Sequence, residues 1–316
     1  MRGSAPRHVP CHTLLLEVET LDRKPWQGVL VANPLSFDQD LEIDLSHYSE
    51  HIAWLAASGC DGITPNGSLG EYQTLTREER SRVLEAAVAA APPGFAVIPG
   101  VAAYGSREAV YWTEQAARAG APAVMLLPPN AYRADQKSVV EHFRAVAAVG
   151  LPVIAYNNPF DTKIDLVPEL LAQLFAEGLI VAVKEFAGDP RRGYAIRELA
   201  PELDVMIGSD DTVIEFAVAG AKGWVSGYTN AFPRSCVQLY QAAMDGEIDQ
   251  ARLLYGRLHA LLRWDSKTEF VQAIKLSMDL VGRFGGPCRP PRGPLSAENS
   301  ALIRELTERA MADGLT

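Results

Sequence analysis

Cysteine is scarce in this chain of 316 residues: Cys11, Cys60, Cys236 and Cys288 lie far apart, with no CxxC pair among them. That spacing supports neither a zinc ribbon nor a disulfide framework, so the four read as ordinary thiols. Histidine is as sparse. His8, His12, His142 and His259 are scattered, and His47 and His51, four apart on an expected helix, enclose Tyr48-Ser49-Glu50 rather than an HExxH pattern. They read as a solvated helix face, and no metal is expected. Positive charge is also short. With 29 Lys and Arg against 39 Asp and Glu, the net charge of −10 has the wrong sign for a phosphate backbone, which excludes nucleic acid as a partner. Long apolar runs are missing too. The most apolar N-terminal stretch, Thr13 to Val18, is cut by Glu17 and is too short for a signal-peptide core or a membrane span. The expectation is a soluble cytoplasmic protein with no membrane partner.

Apolar residues nevertheless make up 48% of the chain, enough for a large core. Short apolar runs begin near Gly28, Asp61, Ala96, Ala123, Val153, Ile180, Val205 and Gly223, at spacings of 18 to 35 residues. Each spacing holds a strand, a helix and two loops, and eight such units suggest a closed barrel. The strands are nearly continuous apolar runs, as expected when both faces of a parallel sheet are covered. An open doubly wound sheet would share that pattern, but no GxGxxG or P-loop follows the first strand. Boundary signals agree. Thr76 with Glu79 forms a capping box, Asp189 with Pro190 an N-cap and first helical position, and Gly120, Gly150 and Gly178 fall where left-handed C-terminal residues are needed. The reading is an α/β fold: an extension over 1–25, a (β/α)8 TIM barrel over 26–245, and a C-terminal helical appendage over 246–316. Its helices are expected over Ile248–Trp264, Lys267–Phe284 and Ala297–Asp313, interrupted by a loop rich in glycine and proline.

In a barrel, groups at the carboxyl ends of the strands share one pocket. Lys184, in Ile180-Val-Ala-Val-Lys-Glu-Phe186, is the first candidate there. Burial in so apolar a strand disfavours the ammonium form, and a neutral amine is a nucleophile. The plain alternative is a strand-end lysine paired with a carboxylate such as Glu185. Tyr156, in Ile154-Ala-Tyr-Asn-Asn-Pro159, reads as a proton-handling phenol or simply as a core residue. Gly67-Ser-Leu-Gly-Glu71 can turn backbone N–H groups toward an anion, or be a tight turn only. Gly208-Ser-Asp-Asp211 and Gly223-Trp-Val-Ser-Gly227 follow: the aspartates suit hydroxyls or ions, or cap the next helix.

The order and spacing of these segments resemble the dihydrodipicolinate synthase and N-acetylneuraminate lyase family of class I aldolases. The resemblance rests on GSLGE at 67–71, YNNP at 156–159, VKEFAGD at 183–189, GSDD at 208–211 and GAKGWVSG at 220–227, and it runs from about Trp26 to the last helix. It implies a homo-oligomer, tetramer or dimer, that joins pyruvate or another 2-keto acid to an aldehyde through a lysine Schiff base. No metal or organic cofactor is implied. Lys184 matches the Schiff-base lysine, Tyr156 the proton-relaying tyrosine, and Ser68 the hydroxyl beside it. The Ser68 and Leu69 N–H groups match those that bind the carboxylate, and the Val225 carbonyl faces the bound keto acid, with Ser226 and Gly227 alongside.

Two departures redirect the expected substrate. Leu69 replaces a second hydroxyl residue, which breaks the relay through a neighbouring subunit's tyrosine, and Tyr132 lies only near that tyrosine's place. Asp161 stands where lysine-pathway synthases carry an arginine for the second substrate's carboxylate, which it would repel. Asp210 and Asp211 fall where sugar-acid lyases contact hydroxyls. The favoured reading is therefore an aldolase acting on a hydroxylated 2-keto acid, ahead of a dihydrodipicolinate synthase, a sugar-acid dehydratase, or a non-catalytic ligand-binding relative.

Overall fold

The computed structural model describes residues 23–129 and 132–316. Cys11, His8, His12, the Thr13–Val18 run and most of the 1–25 extension lie outside them. Eight strands follow in chain order: β1 (Gly28–Val31), β2 (Gly62–Ile63), β3 (Ala96–Val97), β4 (Val124–Leu126), β5 (Val153–Asn157), β6 (Ala182–Glu185), β7 (Asp204–Ile207) and β8 (Gly223–Ser226). Their order around the sheet is β3-β2-β1-β8-β7-β6-β5-β4, and every pairing is parallel. The remaining seam is bridged just past β3, where the Val101 N–H donates to the Met125 carbonyl at 2.9 Å and the Met125 N–H to the Pro99 carbonyl at 3.0 Å. The ring is thus the (β/α)8 barrel expected from the spacing, and a helix follows each strand, from Leu45–Ala57 after β1 to Pro233–Met244 after β8.

Side chains alternate along each strand, so one set fills the ring and the other meets the helices. Leu30, Ile154, Ala182 and Met206 form the inner cluster, while Val183, Val205 and Ile207 pack outward with Leu171, Ile196 and Phe216. Complete burial of a side chain such as Val183 contributes about 1.5–3 kcal/mol. The capping box is formed: the Glu79 N–H donates to Thr76 Oγ1 at 3.2 Å, and the Thr76 N–H to Glu79 Oε2 at 2.8 Å. Gly120, Gly150 and Gly178 carry the positive φ foreseen for them. At Asp189 the register is one residue later. The helix is Arg191–Leu199 with Pro190 at its N-cap, so the Asp189 carboxylate accepts from the Arg191 N–H instead of capping a proline-led turn.

The two ends of the barrel differ. At the amino end, Asp204 at the start of β7 accepts from Trp26 Nε1 at 2.8 Å, Gln27 Nε2 at 3.1 Å and Lys24 Nζ at 3.2 Å, which seals the floor. The carboxyl end stays open and is overhung by the C-terminal region, with helices Ile248–Leu262, Phe270–Leu280 and Ala297–Ala312. The middle helix starts later than expected, because residues 265–269 form turns over the barrel mouth. A buried clamp ties this region down: Lys275 Nζ donates to Glu71 Oε1 at 2.8 Å and to the Pro287 carbonyl at 2.7 Å, and the Arg289 N–H donates to Glu71 Oε2 at 3.0 Å.

His51 corrects the helix-face expectation. It is buried, with Nε2 within 2.9 Å of Asn230 Oδ1, and only His47 sits toward solvent against Asp44. Leu55 and Ile52 belong to the same buried face, which the polar spacing around His51 concealed. Cys60, Cys236 and Cys288 are free thiols. Among the described residues no group of three His, Cys, Asp or Glu side chains is placed to hold a metal ion, and no helix is long and apolar enough to cross a membrane.

Candidate active site

A cavity of about 860 Å³ opens over the carboxyl ends of the strands. Lys184, Tyr156, Ser68, Leu69, Asp161, Val225 and Gly227 all line it. Those residues come from four separate strand ends, β2, β5, β6 and β8, brought together by the closed ring.

Lys184 is 7% exposed and donates no hydrogen bond to any described residue. Its Nζ lies 4.2 Å from the centre of the Tyr156 ring, a separation set by the pairing of Tyr156 on β5 with Lys184 on β6. Burial pushes the amine below its ordinary range, against the opposing attraction of Asp265 and Asp210. The neutral amine is the form that attacks a carbonyl. Glu185, the simple salt-bridge partner considered from sequence, points the other way: it is fully buried and bound by Arg192 Nε at 3.0 Å, Asn157 Nδ2 at 3.0 Å and the Ala187 N–H at 2.7 Å. Tyr156 packs edge-on to Phe186, and its oxygen accepts from Asn158 Nδ2 at 3.3 Å. Burial, with Asp265 and Asp161 nearby, holds the phenol well above its ordinary range.

The turn after β2 supplies the complementary feature. The Glu71 N–H donates to the Ser68 carbonyl at 3.1 Å, closing the loop, while the Ser68 and Leu69 N–H groups donate to no acceptor among the described residues. Backbone donors left open beside a cavity suit a carboxylate. Glu71, with φ of 51°, ends the turn inside the clamp described above, so the donors sit on a fixed support.

Other candidates fall elsewhere. Asp210 is wholly buried and outside the cavity wall; it accepts from Trp224 Nε1 at 2.9 Å, the Tyr228 N–H at 2.8 Å and the Gly227 N–H at 3.1 Å. Burial lifts its carboxyl to about 6. It fastens the loop after β8 rather than meeting substrate hydroxyls. Asp211 faces Ser266 at 3.4 Å, and Ser226 is buried against Thr229; neither lines the cavity. Tyr132 is 59% exposed and also lies off the wall. Asp161 does line it, held by Asn158 Nδ2 at 2.9 Å.

The C-terminal turns add wall residues that the sequence reading did not reach, foremost Asp265, with Lys267, Glu269 and Arg292. Burial and Asp210 hold the Asp265 carboxyl well above its ordinary range. The only signal was a charged cluster, Asp265-Ser-Lys-Thr-Glu269, between two apolar helical patterns.

A barrel of this topology, with a buried lysine amine that donates to no described residue and open backbone donors in one cavity, defines a carbonyl-binding lyase site. The profile of the dihydrodipicolinate synthetase family matches residues 25–310, and the chain belongs to that family. Its members are carbon–carbon lyases that hold a 2-keto acid as a lysine Schiff base without a metal or organic cofactor, and this chain is one of these enzymes. It is 33% identical over 284 residues to a 4-hydroxy-tetrahydrodipicolinate synthase of Methanothrix thermoacetophila, covering 89% of this chain and 96% of that one. The crystal structure of dihydrodipicolinate synthase from Aquifex aeolicus superposes with a TM-score of 0.86 at 30% identity, covering 90% and 98% of the two chains. A prophage protein of the family from E. coli K12, solved with pyruvate, gives 0.84 at 25% identity over 90% and 98%.

Proposed function

We propose that this protein is a class I aldolase that makes and breaks the bond between pyruvate, or a related 2-keto acid, and a neutral hydroxyaldehyde, through a Schiff base on Lys184. The observation that carries the reading is the buried Lys184 amine beside Tyr156, in one cavity with the N–H groups of Ser68 and Leu69, none of which donates a hydrogen bond to a described residue. The carboxylate binds at those donors, which fixes the carbonyl carbon near Lys184. The iminium then serves as the electron sink for the carbanion released when the C–C bond breaks. Tyr156, with Ser68 beside it, passes protons to and from the substrate hydroxyl. Val225 and Gly227 also line the cavity, and the Val225 carbonyl faces the bound keto acid. The protein acts as a cytoplasmic homo-oligomer, tetramer or dimer; Tyr104 and Tyr132, after β3 and β4, are 71% and 59% exposed and offer a self-association surface.

Trapping tests the chemistry. Pyruvate with borohydride leaves a reduced adduct on Lys184, located by peptide mass mapping; absence of the adduct, or its survival in Lys184→Ala, defeats the Schiff-base reading. The names of the curated relatives favour a second reading, 4-hydroxy-tetrahydrodipicolinate synthase. Pyruvate consumption with aspartate semialdehyde against a neutral hydroxyaldehyde decides between them.

A further inference from the structure

We propose that Asp265 is the acid–base group of Schiff-base formation: it delivers the proton with which the carbonyl oxygen leaves as water, and recovers it when the adduct is hydrolysed. This rests on the Schiff-base reading of Lys184 and names a group which that reading does not contain.

Asp265 sits in the turns over the barrel mouth, on the wall of the cavity that Lys184 faces. Its carboxyl rests against Gly227 of the loop after β8. A Cβ there would lie 2.5 Å from Asp265 Oδ1 and 2.9 Å from Ile274 Cδ1, so only glycine leaves the carboxyl its place.

Two carboxyls act on the Lys184 amine, Asp265 and Asp210. Asp210 is walled off and its oxygens are taken by Trp224, Gly227 and Tyr228. The other cavity carboxyls are held by amide side chains, Asp161 by Asn158 and Glu269 by Asn299 Nδ2 at 2.5 Å, whereas Asp265 accepts from the Asp210 backbone N–H. The groups facing Asp265 are Lys184 on β6, Tyr156 on β5, Asp210 and Asp211 after β7, and Tyr228 after β8. Among these, Tyr156 is a weak acid, since burial raises its phenol. Leu69 offers no hydroxyl to pass a proton along the other wall.

The neutral amine adds to the carbonyl carbon, and one N–H proton moves to the oxygen, giving a carbinolamine. The C–O bond then breaks as that oxygen takes the Asp265 proton; water departs, and the nitrogen lone pair becomes the C=N bond. A neutral amine and a neutral acid yield an iminium and a carboxylate, so the site's net charge is unchanged and the new cation forms beside its counter-ion. Burial already favours both neutral partners before substrate arrives.

The test follows the rate of pyruvate trapping by borohydride in the wild type, Asp265→Asn and Asp265→Ala, per folded molecule by circular dichroism. Both variants should trap about 10²-fold more slowly at neutral pH. Added formate should restore the rate of Asp265→Ala, and more so at lower pH, where the undissociated acid is available; a residue that only shapes the cavity gives no such rescue. Wild-type trapping rates in Asp265→Asn overturn the proposal, as does a slow Asp265→Ala that formate does not accelerate at any pH. A wild type that forms no adduct overturns the Schiff-base reading itself, and this inference with it.

Discussion

Among the described residues two lysines are buried, one in the barrel and one in the C-terminal region, and the two regions treat the charge in opposite ways. Lys275, 1% exposed, sits in the clamp beneath the C-terminal loop with Glu71 and the Pro287 carbonyl as acceptors and the Phe37 ring 4.7 Å away. Lys184, 7% exposed, has the Tyr156 ring 4.2 Å away and donates to no described residue; Asp265 and Asp210 attract it without a hydrogen bond. Burial depth is similar, so depth does not decide reactivity; acceptors do. An ammonium with acceptors is held as a structural ion, whereas an amine without them is driven neutral and left free to attack.

Replacing each lysine breaks the comparison most sharply. Lys184→Met removes the only covalent handle, so aldol turnover falls to background. Its denaturation midpoint in urea stays at or above the wild-type value, since no partner is orphaned. Lys275→Met does the reverse. It strands the Glu71 carboxylate in the interior and costs about 3–5 kcal/mol by urea denaturation, while pyruvate still traps on Lys184 in the folded fraction. Pairing it with Glu71→Gln recovers much of that loss. A Lys275→Met protein as stable as the wild type shows that the clamp is not the structural half of the contrast.

Tyr156→Phe removes one oxygen from the ring beside Lys184. Turnover at saturating substrate falls roughly 10²-fold with the fold intact; near wild-type turnover reduces Tyr156 to a packing residue. The smallest effect belongs to Asp161, at the cavity rim. Asp161→Asn raises turnover with aspartate semialdehyde by about tenfold or less, through a lost repulsion at a solvated site, and leaves a neutral hydroxyaldehyde unaffected. Equal response to both aldehydes shows that Asp161 does not face the second substrate.

Lys184 was legible because a lysine within an uninterrupted apolar strand is anomalous by itself, and the glycine-flanked turn at 67–71 because only a special backbone needs two glycines around a serine. The strands were legible for the same local reason: the runs Val153-Ile-Ala-Tyr156 and Ile180-Val-Ala-Val183 are apolar on both faces wherever they are placed. Asp210 was misjudged because an aspartate after a strand can cap, bind or clamp, and the choice depends on Trp224 and Tyr228 across the neighbouring strand. Asp265 was invisible for a related reason. It reaches the cavity from a turn between helices, and nothing in residues 264–270 records that Gly227 makes room for it. Local sequence carries backbone shape and burial; it does not carry which distant carboxyl arrives beside an amine.

Glu71 has a bearing on inheritance. This one carboxylate ends the turn that presents the Ser68 and Leu69 N–H groups, and it also receives Lys275 and the Arg289 N–H from the C-terminal region. Barrel and cap are therefore not separable modules, although the chain between Met244 and Ile248 looks like a natural crossover point. A chimera that keeps this barrel but takes its last helices from a relative lacking a lysine at position 275 loses more than a lid. It releases the support of the carboxylate-binding turn as well, so recombination within the family must exchange the two segments together.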